Sequence, residues 1–149
     1  MASTTGAVVA SGLKLELSTN GTTWTDISGS SNKIDIGGGD RPIETTKLFG
    51  GNAPIVTSGA ADSIEAKITA LYTEVANETW ELARAAYEAG SALYVRYSPA
   101  GGTTGKFQFA SGSGRVKNAV WPSADASDSK PIMFECTVTV PSFTKSTVA

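Results

Sequence analysis

Alternation of apolar and polar positions is the strongest pattern in this chain. Leu13, Leu15 and Leu17 alternate with Lys14, Glu16 and Ser18, which predicts a strand with one buried face. Asn20-Gly21 follows at once, a dipeptide suited to the positive φ angles of a tight hairpin turn. The partner strand is predicted over Thr22 to Ile27, carrying Trp24, and a short strand over Lys33 to Ile36 ends in Gly37-Gly38-Gly39. Ser63 to Thr73 reads as a long strand, with Ile64, Ala66, Ile68, Ala70 and Tyr72 on one face and Glu65, Lys67, Thr69 and Leu71 on the other. The alternation is cleanest over Ile132 to Val140. There Ile132, Phe134, Cys136, Val138 and Val140 oppose Met133, Glu135, Thr137 and Thr139, and Pro141 ends the run.

The period changes once, at about 78–89, where a single helix is predicted. Asn77 is a suitable N-cap, Glu78 and Glu81 put negative charge in the first turn, and Gly90 stands where a left-handed C-cap belongs. Trp80, Ala83 and Tyr87 form an apolar stripe that would pack this helix on the sheet. Beyond it, Ala92 to Ser98 and Lys106 to Ser111 flank the turn Pro99-Ala100-Gly101-Gly102 as a hairpin, and Arg115 to Trp121 is a further strand stopped by Pro122. Residues 1–12 and 141–149 read as polar, small-residue arms, extended and mobile in a free subunit.

The segment from Asp40 to Asp62 fits neither period. Its apolar residues, Ile43, Leu48, Phe49, Ile55 and Val56, are split by Pro42, Gly50-Gly51, Pro54 and Gly59. Connections of this length are uncommon inside a compact domain and are usually functional or disordered. Its extended pieces predict a protruding loop or hairpin turning near Phe49 to Ala53. The whole reads as one domain over 1–149: mainly β, an antiparallel sandwich or partial barrel with one flanking helix.

Composition narrows the chemistry. Only 17% of the 149 residues are charged, the net charge is −2, and both signs are interspersed, so a dedicated electrostatic nucleic-acid binder is disfavoured. One cysteine precludes an internal disulfide, and folding in a reducing cytosol is the natural reading. The first twelve residues lack the basic and apolar regions of a signal peptide, and no run reaches the roughly 18 apolar residues of a spanning helix.

Histidine is absent, which removes the commonest general base and metal ligand together. No cofactor or metal is expected. Gly102-Thr103-Thr104-Gly105-Lys106 resembles the end of a phosphate loop, but Ala100 and Phe107 break the motif and a strand follows instead of a helix. The carboxylates near one another (Asp35 and Asp40, Glu78 and Glu81, Asp125 and Asp128) lie at a glycine turn, a helix start and a polar loop, without the apolar setting that acid–base work needs. Cys136, on the apolar face of its strand, reads as a buried structural thiol. Trp24, Trp80 and Trp121 leave a carbohydrate- or protein-binding sandwich module as the alternative function.

The order of elements resembles that of the tail-tube (major tail) proteins of long-tailed bacteriophages. The likeness is carried by Leu13-Lys14-Leu15-Glu16-Leu17, Trp24-Thr25-Asp26-Ile27 and the Gly37-Gly38-Gly39 stop. It continues in Trp80-Glu81-Leu82 through Tyr87-Glu88-Ala89-Gly90 into Leu93-Tyr94-Val95-Arg96-Tyr97, and in Phe134-Glu135-Cys136-Thr137-Val138-Thr139-Val140. It implies a non-enzymatic virion subunit that forms hexameric rings, stacked into a tube that conducts DNA without binding it specifically. It further implies tape-measure, tail-tip and tail-terminator proteins as partners, a place in the virion tail, and assembly in the host bacterial cytoplasm. Ile43, Leu48, Phe49, Ile55 and Val56 would then stack ring on ring, together with both arms. Glu65, Lys67, Thr69, Glu135, Thr137 and Thr139 would face the channel.

Overall fold

A computed structural model describes residues 4–118 and 121–149. Eleven strands, one α-helix and two short 3-10 turns make up the described chain. The strands are β1 (Lys14–Ser18), β2 (Thr25–Asp26), β3 (Ser31–Gly38), β4 (Ile43–Thr46), β5 (Ile55–Ser58), β6 (Ile64–Leu71), β7 (Tyr94–Ser98), β8 (Phe107–Ser111), β9 (Arg115–Val116), β10 (Met133–Val140) and β11 (Phe143–Thr147). Helix α1 spans Thr79–Ala89 between β6 and β7.

Two antiparallel sheets face each other across one core. The first has the order β11-β8-β7-β1-β2 and the second β3-β6-β10-β9, while β4 and β5 form a separate two-stranded ribbon. Register follows the pleat. Leu17 stands opposite Val95 in the first sheet, and Ala66 lies between Ile36 and Val138 in the second. Leu15, Leu17, Val95, Ala66, Ile68, Phe134, Cys136, Val138 and Val140 thereby fill the space between the layers, all buried. This is the mainly β sandwich with a flanking helix that the alternation predicts.

The helix departs from its predicted packing. Thr79, Ala83 and Ala86 are its buried residues, and the half-buried Trp80 and Leu82 pack beside them on the core. Tyr87 is 37% exposed, so the expectation that it packs the helix on the sheet is corrected. The buried stripe runs through Thr79, Ala83 and Ala86, one helical step off the Trp80–Ala83–Tyr87 line, because Thr79 is drawn inward. Its Oγ1 lies 2.8 Å from Ser30 Oγ and 3.2 Å from Ser31 Oγ. Trp80 meets Tyr72 edge to face, with ring centroids 4.9 Å apart. Asn77 is not the N-cap. It takes a left-handed φ of 64°, Glu78 holds the cap position, and the Thr73 hydroxyl bonds the Glu78 carboxylate.

The chain ends differ from each other. Residues 4–12 are exposed and hold only a 3-10 turn at Ala10–Gly12. The predicted arm at 141–149 is instead largely β11, paired with β8 from Phe143 opposite Ser111 to Thr147 opposite Phe107. Phe143 anchors it, edge to face with Tyr97, whose other neighbour is the stacked ring of Phe109. Other boundaries also move. The Asn20-Gly21 hairpin joins β1 to a β2 of only two residues, because the Asn20 carboxamide accepts from the Thr22 and Thr23 amides and widens the turn. The strand predicted over Arg115 to Trp121 is β9 alone. Lys117 continues it by donating to the Thr137 carbonyl, part of the remainder lies outside the described residues, and Trp121 is exposed.

Candidate assembly surfaces

The segment 40–62 is a ribbon that carries the β3–β6 ladder out of the sandwich. Past Gly38 and Ile64 the pairing goes on through Gly39 N to Ser63 O, Asp62 N to Asp40 O and Gly59 N to Pro42 O, and then through β4 and β5. Gly38 and Gly39 both adopt positive φ at the root of the ribbon. A Cβ on Gly38 would meet the Ser63 carbonyl at 2.8 Å, so a side chain fits there neither sterically nor conformationally.

Every residue of β4 and β5 is exposed. Ile43 pairs opposite Ser58 and Thr45 opposite Val56, which puts Ile43 and Val56 on one face of the ribbon; Thr46 opposite Ile55 puts Ile55 on the other. Neither face is covered. At the tip, a 3-10 turn over Phe49–Gly51 leaves Leu48 half-exposed and Phe49 100% exposed. The turn is held by the Asn52 side chain, which donates to the Phe49 carbonyl at 3.1 Å, and by positive φ at Gly50 and Gly51. An isolated two-stranded ribbon is at best marginally stable in water. Five aliphatic and aromatic side chains displayed on a shaped ribbon make it a candidate interaction surface.

A second surface is the outer face of the four-stranded sheet. Register aligns Asp35, Lys67 and Thr137 in one row, Lys33, Thr69 and Glu135 in the next, and Glu65, Thr139 and Arg115 in a third. The predicted Glu65, Lys67, Thr69, Glu135, Thr137 and Thr139 therefore share one face. Their charges are paired across strands: Lys67 Nζ lies 3.6 Å from Glu135, Lys117 Nζ 2.5 Å from Glu65, and Lys33 Nζ 3.2 Å from Asp35 along β3. Thr137 is 8% exposed even so, because it sits mid-sheet and Lys117 and Asn118 bond its carbonyl and amide. Cations and anions interleave over this face without a run of one sign.

A buried ionic cluster occupies the outer face of the five-stranded sheet, and the sequence reading did not find it. Glu16 accepts from Arg96 Nε at 2.7 Å and from Lys14 at 3.1 Å, and the Arg96 guanidinium lies 4.4 Å over the Trp24 ring. Burial pushes the Glu16 carboxyl up, but hydrogen bonds and charge from Arg96 and Lys14 outweigh it and hold the group below its ordinary value. The available signal was that Glu16 and Arg96 each sit between apolar strand residues.

Burial drives the Cys136 thiol up to about 12, far from thiolate chemistry. Asp125 and Asp128 turn their oxygens onto the Ser127 and Lys130 amides of their own loop, and the Ser127 hydrogen bonds hold Asp125 below its usual range. Gly102 and Gly105 take positive φ in the turn before β8, with no helix N-terminus beside them. Among the described residues, no three potential metal ligands cluster.

No family model and no curated protein matches the sequence. The fold does match solved structures. The anti-feeding prophage cap, a tube-terminating cap, superposes with a TM-score of 0.69 at 12% identity, covering 99% of this chain and 95% of that one. A tail subunit from an empty GTA particle refined with C6 symmetry gives 0.66 at 14% identity, covering 96% and 100%. The SPP1 tail tube gives 0.66 at 10% identity, covering 95% and 80%. This chain has the fold of phage tail-tube and tube-terminating proteins.

Proposed function

We propose that this chain is a structural subunit of a phage-like tail tube, which assembles with its own copies into sixfold rings that stack around a channel for DNA. The projecting β4–β5 ribbon carries this reading, since its apolar residues on both faces and at its tip stand exposed among the described residues. A head-to-tail contact between copies, repeated along an axis, generates an open stack. In it, Ile43, Leu48, Phe49, Ile55 and Val56 bury against the next ring.

Ring closure would pair the free edges of the four-stranded sheet and remove the aggregation hazard of open edges. The face bearing Glu65, Lys67, Thr69, Glu135, Thr137 and Thr139 would then line the channel. Its interleaved charges suit a conduit along which a polyanion slides without being held, because a stripe of cations alone would bind phosphates. The work is structural and needs no catalytic group. On this reading the chain is made in the host cytoplasm, resides in the virion tail, and meets tape-measure, tail-tip and terminator proteins there.

The likeness to a tube-terminating cap supports a second reading, in which the chain closes a tube as a single ring. Negative-stain microscopy of the purified protein at high concentration tests both. Hollow tubes support the tube subunit and isolated rings the terminator. A chain that remains monomeric at every concentration is the ordinary binding module and contradicts both.

A further inference from the structure

A groove lies at the end of β3 opposite the one that leads into the ribbon. It has a volume of about 350 Å³ and lies between the start of β1, the Ser28 to Ser31 connection and the start of β3. Leu13, Leu15 and Ile34 supply its apolar lining, with Ala10 and Ser11 of the 3-10 turn as one wall. A benzene ring needs about 150 Å³, so the groove, open to solvent and lined by Ser28, Ser31 and Asn32 beside its apolar residues, has room for a phenyl group. Its one charged lining residue, Lys33, is already paired with Asp35, and the tip segment 48–54 carries no charge, so no unpaired ion is desolvated on docking.

Placement favours a second copy as the occupant. The ribbon leaves β3 at Gly38 while the groove lies at Ser31 to Ile34, roughly 20 Å back along the strand at about 3.3 Å per residue. A projecting knob and a receptive hole at opposite ends of one strand are what a head-to-tail contact requires. Other exposed apolar side chains fit less well. Val8 and Val9 directly precede the turn that walls the groove of their own copy, and the Phe107 ring is overlain by Lys145 Nζ at 4.3 Å. Phe49 is fully exposed, and its turn is already set by Asn52, Gly50 and Gly51, so little order has to be created on binding.

We infer that Phe49 of one copy seats in the groove lined by Leu13, Leu15 and Ile34 of a copy in the adjacent ring, as the anchor of ring stacking. This inference rests on the tube reading and adds the receptor site to it.

Two arms test it on the full chain. In the first, Ala53→Cys and Asn32→Cys, both at exposed positions beside tip and groove, are combined and assembled tubes are oxidised. The buried Cys136 stays out of the reaction. The expected result is a ladder of disulfide-linked multimers on a non-reducing gel, with no ladder from either single variant. In the second arm, Phe49→Ala should raise the concentration needed for stacking by roughly tenfold or more, as truncation of a buried aromatic anchor does. Phe49→Leu should recover most of the loss. Tubes that give no ladder, or tubes of Phe49→Ala that form at the wild-type concentration, overturn the inference and leave the tube reading standing. A wild-type chain that never stacks overturns both.

Discussion

Glu16 and Arg96 are joined across β1 and β7 by a 2.7 Å ion pair on the outer sheet face, with their side chains only 6% and 21% exposed. The pair ties the two strands at a point where their inner faces bury Leu15, Leu17 and Val95. Losing Arg96 leaves a buried carboxylate with Lys14 alone. Arg96→Ala should therefore cost roughly 3 kcal/mol, at the lower end for a broken buried pair, measured by chemical denaturation.

The same pair sets an acid limit. A carboxyl held below its ordinary value of 4.5 contributes stability that is present above that value and is lost as pH falls through the folded value. The unfolding midpoint should fall as pH drops below about 4.5, and Glu16→Gln should flatten that slope. An unchanged slope in the variant would remove Glu16 from the account.

Phe143 binds the last strand to the domain through Tyr97. Phe143→Ala should cost roughly 1–2 kcal/mol from lost burial and ring contact. Truncation after Pro141 should expose the β8 edge and lower the unfolding temperature by several degrees. A free arm would be removed at no cost, so a truncated chain with unaltered stability would contradict the pairing.

Cys136, fully buried and with its thiol pushed up to about 12, should resist thiol reagents in the native protein and react only on unfolding. Rapid labelling under native conditions would show that the interior of β10 opens locally. On the helix, Ala83→Leu should cost about 1–3 kcal/mol by overpacking, whereas Tyr87→Ala, at a partly exposed position, should lower the unfolding midpoint less.

Strand alternation made much of the fold legible. Ile132 to Val140 and Ser63 to Thr73 declare their inner faces because only one face of each carries the apolar core residues, and both become central strands, β10 and β6. What alternation lacks is long-range pairing. Ser142 to Ala149 looks like a polar arm because Thr, Lys and Ser strands at a sheet edge need no apolar period, and only Phe143 betrays the anchor. Ser31 to Gly38 is longer than its sequence suggests, because Gly37 and Gly38, which read as a stop, pair with Glu65 and Ile64 while the positive φ of Gly38 starts the ribbon. Tyr87 misleads because a helical stripe chosen by apolarity alone cannot tell which side faces the core. The ribbon itself was legible from breakers around Phe49. The exposure of its apolar residues, the groove at Leu13 and Ile34, and the Glu16–Arg96 pair each depend on residues distant in sequence and emerge only in three dimensions.

On the tube reading, the ribbon joins copies without holding the subunit together. Deleting Leu48 to Pro54 and comparing the variant with the full chain in electron micrographs tests this most directly, with circular dichroism melts as the control for folding. The expected variant melts cooperatively near the wild-type temperature and forms no tubes. Tubes persisting in the micrographs of that variant would contradict it.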